Sequence, residues 1–151
     1  MPSFQKPPYL AAVRELVRAY QAFERVSGNH IRTLGLTPPQ FDVIATLGNT
    51  PGMSCKELSE KTLITKGTLT GILDRLIDKA LISRTVPEHD RRSVFVALTP
   101  AGEALFAEAF PAQLAYMQAG FEDMDRDAME QLTAQLAMLR HRIDAIEKDE
   151  K

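Results

Sequence analysis

The chain has 151 residues, long enough for one domain with a real core, and its 44% apolar and 25% charged residues describe a globular protein with a formal net charge of −2. No run approaches eighteen apolar residues, which excludes a membrane-spanning helix. The charge is uneven: residues 1–51 carry +2, residues 52–100 carry +2 and residues 101–151 carry −6, as a small basic surface on an acidic body would. The opening MPSFQKPPYL lacks the basic-then-apolar profile of a secretory leader, and the single cysteine, Cys55, leaves no internal disulfide. A cytoplasmic protein is the expectation.

After Pro7-Pro8, Leu10, Val13, Val17, Tyr20, Phe23 and Ile31 recur at three- and four-residue spacing and predict a long amphipathic helix, loosened at Gly28 and ended at Gly35. In TPPQFDVIATLG, Thr37 is a good N-cap, Pro38 suits the first helical position and Gln40 completes a capping-box pattern. Phe41, Ile44, Ala45 and Leu47 form the apolar stripe of that helix, and Gly48 to Gly52 make a turn. Ser54 and Glu57 form a second capping box at the head of a short helix ending near Thr62, and Thr65 caps a fourth helix running to about Lys79. Two short helices across a tight turn are a helix-turn-helix pattern.

The period then changes. Ile82 to Val86 and Ser93 to Leu98 read as two strands of a hairpin with a polar, proline-containing tip. Thr99-Pro100 opens another helix, with Leu105, Phe106, Ala109, Leu114 and Met117 apolar and Pro111 expected to kink it. After Gly120, Met129, Leu132, Leu136, Leu139 and Ile143 mark a final amphipathic helix. The expected fold is mainly α with a small β-hairpin wing: one unit over 1–151, with a winged helix-turn-helix lobe at 37–100 and terminal helices at 8–34 and 101–148. Those helices carry more apolar surface than so small a lobe could cover, so two copies are expected to bury it in a homodimer.

TKGTLTGILDRL, residues 65–76, holds two glycines in a helical pattern, each costing up to about 1 kcal/mol relative to alanine. On a helical wheel Leu69, Ile72, Leu73, Leu76 and Ile77 face the core, whereas Gly67, Gly71, Asp74 and Asp78 fall opposite, with Thr68, Thr70 and Arg75 on the flanks. The glycines lie in the half of the exposed face that a recognition helix puts deepest into a major groove, where a bare backbone can approach bases and phosphates. Thr65, Lys66, Thr68 and Thr70 can donate hydrogen bonds around them, and Ser54 and Lys56 at the head of the preceding helix complete the candidate DNA-binding set. At the hairpin tip, Arg91 and Arg92 suit a narrow, electronegative minor groove, and Asp90 can hold one guanidinium in place. Double-stranded DNA is the expected partner.

The stretches LTPPQFDVIATL, CKELSEKTLITKGTLTGILDRLIDKALI and DRRSVFVALTPAGEAL resemble the MarR family of transcriptional regulators. The match runs from about Leu36 to Leu105 and continues in helix order over nearly the whole chain. The resemblance implies a dimer made by the terminal helices, two winged lobes reading a pseudo-palindrome, Thr65 to Arg75 as the major-groove helix and Arg91/Arg92 as the wing tip. One departure is Ala80, where DKALI usually reads with glycine; the helix must end there without a glycine cap.

The resemblance also implies a small-ligand pocket between the dimer helices and the winged lobe, near the first helix and the helix after Thr37, where Arg14, Arg18, Arg25, Arg32 and His30 accompany Tyr9, Tyr20 and Phe23. Cation plus aromatic suits an aromatic carboxylate or phenol, with Arg14, Arg18, Tyr20 and His30 the chosen candidates. Cys55 follows an N-cap and precedes Lys56, a setting that can lower a thiol pKa, although the peroxide-sensing cysteine of some relatives lies in the first helix instead. The three histidines are far apart and no metal-ligand spacing, nucleophile–base pairing or phosphate loop is present, so neither a metal, a cofactor nor an enzyme is expected. The functional expectation is a sequence-specific DNA-binding regulator, a repressor relieved by a small ligand. Two alternatives stand beside it: a redox-responsive regulator acting through Cys55, and a winged-helix protein-interaction module that does not bind DNA.

Overall fold

The computed structural model describes residues 4–62, 64–89 and 93–149. The element order is α1 (Tyr9–Thr33), α2 (Pro38–Leu47), β1 (Met53–Ser54), α3 (Cys55–Lys61), α4 (Lys66–Asp78), β2 (Ile82–Thr85), β3 (Phe95–Leu98), α5 (Pro100–Gln118) and α6 (Arg126–Asp149). Packing divides the chain into two compact units, Met1–Tyr116 and Met117–Lys151.

α1 passes through Gly28 without a break, which corrects the expected loosening. Gly28 is buried, and a Cβ there would stand 3.2 Å from the Arg32 guanidinium and 3.4 Å from Pro38 Cγ. The glycine serves close approach between α1 and the start of α2. The helix ends at Gly35 in the left-handed region, φ +81°, as expected.

Both halves of the Thr37 capping box form: the Gln40 amide N–H donates to Thr37 Oγ1 at 3.3 Å, and Thr37 N–H donates to Gln40 Oε1 at 3.1 Å. Ser54 Oγ accepts from the Glu57 N–H at 3.1 Å and fixes the head of α3, which is one half of the expected capping box. Thr65 does occupy the N-cap position of α4, but its side chain caps nothing; the hydroxyl donates instead to Thr68 Oγ1 at 3.1 Å.

The core of the lobe is built from one face of each helix: Val43, Ile44 and Leu47 of α2, Leu58 of α3, and Leu69, Leu73 and Leu76 of α4. Met53, Ile82 and Val96, one from each strand, close it. Ile72 and Ile77 pack against that cluster, so the expected apolar side of α4 is the buried one.

The hairpin proves to be two strands of three. The sheet is antiparallel in the order β1-β3-β2, with Met53 opposite Val96, Arg84 opposite Val96 on the other side, and Ile82 opposite Leu98. A two-residue strand leaves no periodicity to read. Its entry is set by Gly52, φ +107°, where a Cβ would come within 2.6 Å of the Val96 carbonyl oxygen.

α4 ends in a Schellman motif: Leu81 N–H donates to Leu76 O at 3.0 Å and Ala80 N–H to Ile77 O at 2.8 Å. The residue after the C-cap is Ala80 at φ +57°, a left-handed conformation that costs a non-glycine residue about 1–2 kcal/mol. Ala80→Gly should therefore stabilise the protein by up to about 1 kcal/mol, once glycine's greater freedom in the unfolded chain is subtracted. Urea unfolding checks this; a lowered midpoint would show the cap to be unstrained.

Thr99 caps α5 by accepting from the Gly102 N–H at 3.1 Å, and its own hydroxyl donates to the Ala80 carbonyl at 2.7 Å. α5 is a single 19-residue helix that continues through Pro111. Its Phe106 ring lies over Gly48, where a Cβ would meet it at 2.1 Å, and stacks on Phe110 with centroids 5.1 Å apart. In the second unit, Asp125 caps α6 through the Ala128 N–H at 2.8 Å, and no described residue of α6 is fully buried.

Candidate nucleic-acid interface

α4 turns its apolar side to the core, and what it leaves outside is bare. Gly67 and Gly71 are exposed, and a Cβ added at either would find nothing within 4 Å. Spaced one turn apart, they open a strip about 6 Å long along the helix axis. Thr65, Thr68, Thr70 and Arg75 are exposed around it, and the Thr65–Thr68 hydroxyl pair sits at its head. The backbone of Lys66 opens the helix, but its side chain lies outside what is described. Lys56 is exposed on the first turn of α3, while Ser54 is half-buried and spends its oxygen on the cap. Asp90, Arg91 and Arg92, the wing-tip candidates, lie outside the described residues.

One contact that the sequence reading missed fixes the wing strands against this helix. Arg84 of β2 donates from Nη2 to Asp74 Oδ1 of α4 at 2.5 Å. Arg84 lies two residues beyond buried Ile82 and opposite buried Val96, so the helix-facing side of β2 and the exposed side of α4 share an ion pair. The signal was available: Arg84 lies two residues beyond Ile82 on the same face of the strand, and Asp74 lies one turn before Asp78 on the exposed side of α4.

The ligand candidates are not gathered together, a correction to the expected pocket set. Arg14 and His30 are sixteen residues apart on one helix, about 24 Å along its axis, and they lie on opposite sides of it. Arg18 pairs loosely with Glu15 at 3.8 Å. The Tyr20 hydroxyl donates to Glu24 at 2.8 Å, and that bond, with the carboxylate's charge, raises the phenol above its ordinary pKa. His30 has a different setting. Its Nδ1 is 2.6 Å from Gln113 Oε1, Gln113 Nε2 donates to Ser27 Oγ at 2.9 Å, and the imidazole stacks on Tyr116 with centroids 4.1 Å apart. Ser27 and Gln113 are buried, and nothing in the spacing of the sequence paired residues 86 positions apart.

Cys55 is half-buried and its pKa is raised, because burial penalises the thiolate more than the nearby Arg84 charge favours it. The lowered pKa that its place beside a helix start suggested is therefore corrected. At neutral pH less of it is thiolate than in an open peptide, so iodoacetamide should alkylate it more slowly than a cysteine peptide. Alkylation as fast as the peptide's at pH 7 would contradict that placement.

A helix-turn-helix with an open second helix, backed by a small antiparallel sheet and flanked by long helices, defines a winged helix-turn-helix protein of the DNA-reading type. Residues 34–93 match the MarR family model. Over 121 residues the chain is 28% identical to the HTH-type transcriptional regulator MhqR of Bacillus subtilis, covering 80% of this chain and 83% of that one. Its structure is similar to that of the repressor CouR bound to a 23-mer DNA duplex (TM-score 0.75, 28% identity, 91% of this chain and 99% of that one). It is also similar to NadR in complex with 4-hydroxyphenylacetate (TM-score 0.72, 29% identity, 92% and 97%). The winged helix-turn-helix lobe thus matches the MarR family over residues 34–93, and over most of its length the chain is similar to transcriptional regulators of this fold. No described helix is long and apolar enough to cross a membrane.

Proposed function

We propose that the protein is a cytoplasmic, homodimeric repressor that holds a pseudo-palindromic DNA site and lets go when a small aromatic acid or phenol binds. The observation that carries the DNA reading is the open strip of α4 at Gly67 and Gly71, which gives up helix stability for nothing that the chain itself packs there. In the complex, residues 65–75 lie in the major groove, with Ser54 and Lys56 at its edge and Arg91/Arg92 at the minor groove. CouR, bound to DNA as a repressor, supports this use of the fold.

Two further observations favour the dimer. On α1, Tyr9, Leu10, Val13, Val17, Tyr20 and Phe23 are all exposed, and on α6 so are Leu136, Ile143 and Ile146. Such stripes are what a second copy would cover, with 8–34 and 101–148 as the dimerisation helices. For the ligand, NadR's 4-hydroxyphenylacetate indicates the class. The His30 end of α1, with Tyr116 and Gln113, suits it better than Arg14, Arg18 or Tyr20, because there an aromatic ring and polar groups already stand together.

Release follows if the ligand prefers a lobe spacing that no longer matches two half-sites, since only differential affinity shifts an equilibrium. The test is to recover the genomic fragments that the protein retains and titrate each complex with hydroxyphenylacetates, benzoates and phenols. Release by one of these, and by none of their aliphatic counterparts, is the expected result. Release by peroxide alone would move the function to the Cys55 alternative.

A further inference from the structure

We propose that Lys79 is a positioning residue that ties the end of the recognition helix to the end of α1; the proposal rests on the DNA-binding reading above. Lys79 is the C-cap of α4, and its ammonium reaches back 44 positions to donate to the Gly35 carbonyl at 3.3 Å. The same Nζ donates to Gln40 Oε1 at 3.2 Å. Gly35 lies just past the end of α1, and Gln40, only 4% exposed, stands in the first turn of α2. Gln40 Oε1 already accepts the Thr37 N–H of the capping box, so one buried oxygen holds both the start of α2 and the lysine.

Helix C-termini carry partial negative charge and unsatisfied carbonyls. Here the ammonium carried by the C-cap of α4 takes the carbonyl that follows the end of α1, a bond that Lys79→Met removes. On its other side the same turn of α4 is held by the Thr99 hydroxyl on the Ala80 carbonyl. The C-terminal end of α4 is thus pinned between α1 and the cap of α5, while its N-terminal half carries the open strip. A change in the end of α1 reaches the angle of that strip through Lys79. A lysine at this place in a sequence reads as a generic helix-end cation, and only the fold shows what it joins.

The experiment compares wild type with Lys79→Met, Gln40→Glu and the double variant, on a genomic fragment that wild type retains. Lys79→Met should weaken DNA binding about five- to tenfold with the salt dependence unchanged, because a positioning residue neutralises no phosphate. Gln40→Glu keeps an oxygen for both donors and should bind as wild type while Lys79 is present, but add a further loss in the Lys79→Met background. A salt slope lower by about one per subunit would make Lys79 a phosphate contact and overturn the proposal, as would unchanged affinity or simple additivity of the two substitutions. Failure of wild type to bind any DNA would sink the functional reading instead, and a DNA-free arm separates the two. In free Lys79→Met protein, the amides of Gly35 and Leu81 should both exchange at least threefold faster; faster exchange at Leu81 alone would show that the two helix ends are not linked.

Discussion

Replacing Gly102 by alanine should lower the melting temperature by roughly 5–10 °C, from a loss of about 2–3 kcal/mol. Gly102 is buried in the first turn of α5, and a Cβ there would stand 2.0 Å from the carbonyl oxygen of Leu81 and 3.3 Å from Leu98 Cδ2. The carbonyl is backbone, already engaged by the Thr99 N–H at 3.1 Å, so it has little room to yield. Alanine's helix advantage of up to about 1 kcal/mol is smaller than that clash. This is the physical content of the L-T-P-x-G stretch: threonine caps the helix, proline opens it, and glycine lets it sit against the turn that ends α4. Differential scanning calorimetry reads the effect, and a Gly102→Ala protein that melts with wild type would show that α5 is free to slide.

Gly71→Leu should do the opposite to stability and more to function. Its Cβ meets nothing, so the fold accepts the side chain and gains close to 1 kcal/mol of helix propensity. On DNA the same side chain fills the strip that must lie against the groove, and affinity should fall at least tenfold, or about 1.4 kcal/mol. Unfolding and mobility-shift measurements on one preparation separate the two effects. A more stable variant that binds DNA normally would mean that the open strip is not the contact.

Much of this was legible along the chain. The Thr37–Gln40 box, the Ser54 cap and the inward side of α4 are local patterns, set by one residue and its neighbours three or four positions on, and the structure has them where the sequence puts them. What escaped depends, apart from Thr65, on distant partners. Thr65 has the residue type of a cap, yet Thr68 offers its hydroxyl a nearer use. The third strand is two residues long and exists because Val96 stands beside it. Arg84 meets Asp74 only once the sheet is laid on α4, and Gln113 meets His30 and Ser27 only once α5 crosses α1. Cys55 sits at a helix start that should favour its thiolate, but the burial that decides its pKa comes from the fold. The MarR resemblance had already implied the DNA-reading role of residues 65–75 from their positions; the structure supplies the reason that glycine is affordable there.

The most direct measurement is the affinity of the wild-type protein for a retained genomic fragment between 50 and 200 mM salt, with the stoichiometry of the complex determined alongside. Two winged lobes that each neutralise several phosphates should lose affinity by about a thousandfold or more over that range. Two copies should bind per site, with half-sites about one helical turn apart. Affinity indifferent to salt, or a single copy bound to each site, would contradict the account and leave the fold to a protein partner.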